Sequence, residues 1–73
     1  MRAQAEYERA VIWIVRNKAG AGGWPPLDYR RVCGWWCTRM TADLFRKPVV
    51  EVAKDIVEVA AHTRAKEREH EMA

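Results

Sequence analysis

The sequence predicts an all-α fold, a small bundle of three main helices with a short extra helical turn before the last. Apolar residues recur at three- and four-residue spacing in three segments, and glycine and proline cluster between the first two. A chain of 73 residues and 8.5 kDa makes one small domain and leaves no room for a doubly wound sheet or a deep substrate cleft.

The first helix is expected over residues 2–19. Tyr7, Ala10, Val11 and Ile14 fall at i, i+3, i+4, i+7, and the Ala- and Glu-rich lead-in favours helix over a buried strand. Gly20 ends it, because a left-handed cap is easiest without a side chain. Residues 20–27, with glycines at 20, 22 and 23 and prolines at 25 and 26, read as a connection. The glycines do not form a phosphate loop: no Gly-Lys-Ser/Thr follows, and no strand precedes them.

Asp28 is placed to cap a second helix over 28–40, in which Tyr29, Val32, Cys33, Trp36, Cys37 and Met40 form the apolar stripe. Thr41 then caps a short turn over 42–46. Pro48 opens the last helix, because proline suits the first helical position and disfavours helix at the residue before it. That helix runs over 48–69. Its stripe of Val49, Val52, Ala53, Ile56, Val59 and Ala60 is widened by Val50, Val57 and Ala61 beyond what one neighbour covers. Val50, Val57 and Ala61 are therefore the expected interface of a homodimer. From His62 onward the residues are nearly all charged, as a solvated extension would be.

Charge is unevenly distributed within a net +3. Residues 16–47 hold seven bases against Asp28 and Asp43, whereas residues 48–73 hold four bases against six acids. Arg31, Trp35, Thr38 and Arg39 are expected on the face opposite the second stripe, with Arg30 beside them. Four tryptophans are too many for so small a core to enclose. Trp13 and Trp36 are assigned to the core, with Trp24 either a lid over it or part of the exposed surface. Tryptophan and arginine dominate binding hot spots, so Trp24, Arg30, Arg31, Trp35 and Arg39 form the expected partner-binding surface. The same residues could hold a phosphate backbone or stacked bases.

Catalytic and metal readings are weaker. Glu51, Lys54, Asp55, Glu58 and His62 share one face of the last helix, but Lys54 can neutralise the carboxylates and no second acidic helix completes a site. Cys33 and Cys37, four apart within an apolar stripe, read as buried thiols and not as zinc ligands or a redox pair, whose usual spacing is C-x2-C. Serine is absent, which removes the commonest nucleophile. The sequence thus points to a non-enzymatic interaction or regulatory protein with no cofactor and no metal. Its partner is another macromolecule, a protein first and a nucleic acid as the alternative, and a carboxylate-dependent metal enzyme comes third. The longest apolar run, residues 10–15, is far below the ~20 residues that cross a bilayer, so no membrane partner is expected. Two closely spaced cysteines without a disulfide framework fit a cytoplasmic protein.

Overall fold

A computed structural model describes the backbone of residues 2–19 and 27–72 and the side chains of residues 3–18 and 27–66. Among these residues the chain is all helix and turn. Helix α1 spans Arg2–Ile14 and widens into a π-helical turn over Val15–Ala19. Two shorter helices, α2 (Tyr29–Gly34) and α3 (Trp36–Phe45), precede the long α4 (Val49–Met72). Helix α4 is the spine against which α1, α2 and α3 all pack. The segment 20–26, including Trp24, lies outside the described residues.

The core is the shared inner surface of these helices. Helix α1 contributes Tyr7, Val11 and Ile14, the π turn Val15, α2 Val32, α3 Ala42, and α4 Val52, Ala53, Ile56 and Ala60. The stripes expected on the first and last helices are therefore the buried ones, with Ala10, Val49 and Val59 half-buried at their margins. Trp13 does not join the core and is 55% exposed. At about 100° of helical rotation per residue, the arc centred on Tyr7, Val11 and Ile14 turns Trp13 away.

The main departure lies in the middle of the chain. Instead of one helix over 28–40 and a turn over 42–46, the chain breaks at Trp35, which is extended (φ −70°, ψ 132°). Asp28 caps α2 as its sequence position suggests, its carboxylate accepting from the Arg31 N–H at 2.7 Å. Gly34, a poor helix former, precedes the break. Both backbone groups of Trp35 stay paired: its N–H donates to the Val32 carbonyl, and its carbonyl accepts from the Thr38 and Arg39 N–H groups. The extended residue changes the phase of everything after it. Thr38, Thr41 and Ala42 turn inward, with Phe45 packed against the core, while Trp36 and Met40 turn outward. Trp36, assigned above to the core, is 75% exposed, and it is Trp35 that packs against the core. Thr41 likewise caps nothing, because it lies inside α3 with its hydroxyl donating to the Cys37 carbonyl at 2.8 Å.

The turn from α3 to α4 is closed by Arg46 in the left-handed region (φ 52°, ψ 46°), with the Lys47 N–H donating to the Ala42 carbonyl at 2.9 Å. The Pro48 carbonyl then accepts from the Glu51 and Val52 N–H groups and opens α4.

Rotation of α3 leaves one polar atom unsatisfied. Thr38 is fully buried, and its hydroxyl has no hydrogen-bond partner. A buried hydroxyl without a partner carries its desolvation penalty uncompensated, about 1–3 kcal/mol. Thr38→Val keeps the shape and removes that penalty, so the variant is expected to be more stable than wild type by about 1 kcal/mol. Urea denaturation checks this: the midpoint should rise at unchanged slope, and a fall would mean that the hydroxyl has a partner in solution.

Candidate interaction surfaces

Two surfaces stand out once the fold is in place. The first is the outer face of α3, where Trp36, Met40 and Leu44 recur at i, i+4, i+8 and are 75%, 48% and 76% exposed. Three large apolar side chains in a row on one helix face form a continuous crest. Arg39 and Asp43, both exposed, run beside it at one position earlier along the helix. The Arg39 Nε–H donates to the Cys33 carbonyl at 3.4 Å, which holds the guanidinium across the α2–α3 break. Its other four N–H donors remain for a partner. Tyr29, Arg30 and Arg31 on α2 are exposed as well.

The second surface is a groove of about 860 Å³ between α1 and α4. Its apolar part is Val11, Ile12, Val15 and Val59. Tyr7 meets Phe45 and Asp55, and the groove continues through Val15 and Arg16 to Thr63 and Lys66, so α1 and α4 run side by side in the same direction. One end of the groove therefore carries Glu8, Asp55 and Glu58, and the other carries Arg16 and Lys66.

Tyr7 anchors the acidic end. Its ring stands edge-on to Phe45 (5.4 Å between centroids, 73° between planes), and the Lys47 ammonium sits 4.2 Å from the ring centre. Its hydroxyl donates to the Asp55 carboxylate. Burial pushes the phenol pKa well above its ordinary value, and the hydrogen bond and charge of Asp55 add to the shift. Asp55, one of the face of acids expected on the last helix, is thus engaged by α1. Nothing in the sequence marks that pairing, because the two residues lie 48 positions apart.

Of the residues expected to bind a partner, Arg30, Arg31 and Arg39 are exposed. Trp35 is half-buried, and Trp36 supplies the exposed indole instead. Of the expected oligomer interface, Val50 (54%) and Ala61 are exposed, with exposed Lys54 between them in sequence, whereas Val57 packs against the chain's own core. The apolar excess of α4 is thus partly satisfied within the chain. Cys33 and Cys37 are free, half-buried thiols against the core. Among the described residues, no group of three or more His, Cys, Asp or Glu side chains is placed to share a metal ion, and no helix is long and apolar enough to cross a membrane. Comparison with protein-family models, with curated proteins and with solved structures finds no match for this chain.

Proposed function

We propose that this is a small, non-enzymatic cytosolic interaction protein that binds a protein partner through the outer face of α3. The observation that supports this reading is the crest itself. Exposing Trp36, Met40 and Leu44 together while smaller residues fill the core keeps apolar area in water at roughly 25 cal/mol per Å², a cost that a bound partner removes. Tryptophan with a neighbouring arginine is also the pairing that most often dominates binding energy when buried in an interface. Arg39 provides the charged rim on one side. Nucleic acid is the second reading, because Trp36 could stack a base while Arg30, Arg31 and Arg39 hold phosphates.

The test is affinity purification from the source cell with wild type and with Leu44→Glu, each with and without nuclease. Leu44 is 76% exposed, so the substitution leaves the fold intact, which circular dichroism checks. A bound protein that survives nuclease and is lost with Leu44→Glu is the expected result. Retention of a protein other than this chain that is indifferent to Leu44→Glu would overturn the reading. Binding that disappears with nuclease and weakens steeply with salt would replace the protein partner by a nucleic acid.

A further inference from the structure

The two surfaces are complementary in shape and in charge. We infer that the α3 crest of one molecule seats in the α1/α4 groove of a second copy of the same chain, so that the protein assembles head to tail. The inference rests on the crest being a binding surface and names its occupant.

Dimensions agree first. From Trp36 to Leu44 is about 12 Å of helix rise, and the groove runs from Gln4 to Arg16 on one wall and from Asp55 to Lys66 on the other, roughly 17 Å and so long enough to seat the crest. The apolar contents agree next: Trp36, Met40 and Leu44 would cover Val11, Ile12, Val15 and Val59. Polarity then fixes the direction. The crest carries Arg39 toward its start and Asp43 toward its end, and the groove is acidic at its start and basic at its end. Laid in the same sense as α1 and α4, the incoming α3 has Arg39 on the side of Glu8 and Glu58 and Asp43 on the side of Arg16 and Lys66. The reverse orientation brings like charges together, which is unfavourable. No crest residue lines the groove of its own chain, so each molecule offers both surfaces at once. Such a contact is heterologous: it leaves one free crest and one free groove, and it propagates until a ring closes or the chain ends.

Heterologous contact gives the test its form. Leu44→Glu disables only the crest, and Ile12→Glu, at a groove position 41% exposed, disables only the groove by putting a charge among Val11, Val15 and Val59, where the apolar crest would have to cover it. Mass is measured by light scattering from micromolar to near-millimolar concentration, with circular dichroism confirming that each variant is folded. Wild type is expected to grow beyond two chains as concentration rises. Each variant alone is expected at the mass of one chain. Their equimolar mixture, which has one intact crest and one intact groove per pair, should reach two chains and stop.

A wild-type protein that stays at one chain throughout overturns the assembly, as does a mixture that stays at one chain. A dimer that survives both variants but is lost with Val50→Glu overturns it in favour of a symmetric contact through α4. If the purified chain remains single while Leu44→Glu still abolishes capture of a different protein, the crest reading stands and only its occupant changes. If Leu44→Glu alters neither assembly nor capture, the crest reading falls as well.

Discussion

Ile56→Ala is expected to destabilise the domain by about 2–5 kcal/mol, the cost of truncating a fully buried isoleucine and leaving a cavity. Ile56 sits midway along the buried stripe of α4, in the one cluster that joins α1, α2, α3 and α4. A close-packed interior relaxes only partly around such a space. The loss is large relative to the whole. A chain of this length has about 4–11 kcal/mol of stability in total at ~0.05–0.15 kcal/mol per residue. Urea denaturation should show a midpoint far below wild type at similar slope, and the melting temperature should fall by about 10 °C or more. Val50→Ala, on the same helix but 54% exposed, is the control and should cost less than about 0.5 kcal/mol. Equal effects at the two positions would mean that α4 does not present the face described here.

The inward face of α4 and that of α1 were legible because both helices are long and regular, so residue spacing alone settles which positions are buried. The Asp28 cap and the break before α4 followed from local chemistry, a carboxylate before an apolar run and a proline after one. Trp35 was not legible. Gly34 signalled weakness in the helix, but weakness does not say that the next residue becomes extended, and one extended residue re-phases every later position. The stripe of Trp36, Cys37 and Met40 is the better apolar pattern on paper. The fold buries Thr38, Thr41 and Ala42 instead, with Trp35 packed against the core at the break. The consequence for the site is direct. The arginines are exposed as their charge suggests, whereas the exposed indole beside them is Trp36 and not Trp35, and Leu44, the most exposed of the large apolar side chains described, belongs to no stripe that the sequence shows. The groove between α1 and α4 depends on contacts between distant segments, which periodicity within a segment does not encode.

Tyr7 gives the second large effect, and its two substitutions separate packing from hydrogen bonding. Tyr7→Ala removes the ring that meets Phe45 and carries the Lys47 ammonium, at a cost of about 3–5 kcal/mol as for other buried aromatics. Tyr7→Phe keeps the ring and deletes only the donor to Asp55, which leaves a half-buried carboxylate short of a partner and costs about 1–3 kcal/mol at neutral pH. The pH dependence identifies the hydroxyl independently. Burial, with Asp55 and Glu51 nearby, raises the phenol's folded-state pKa above its ordinary value of 10.0. The folded chain therefore keeps a proton that the unfolded chain releases, so this contribution to stability is full below pH 10 and declines as pH rises above it. Wild type should lose urea resistance progressively above pH 10, and Tyr7→Phe should lose less over the same interval because it has no proton to retain there. Parallel declines in the two proteins would show that Tyr7 does not hold its proton against Asp55. A smaller decline in Tyr7→Phe would show that the Tyr7 phenol stays buried and protonated against Asp55 in the folded chain, at the acidic end of the groove between α1 and α4.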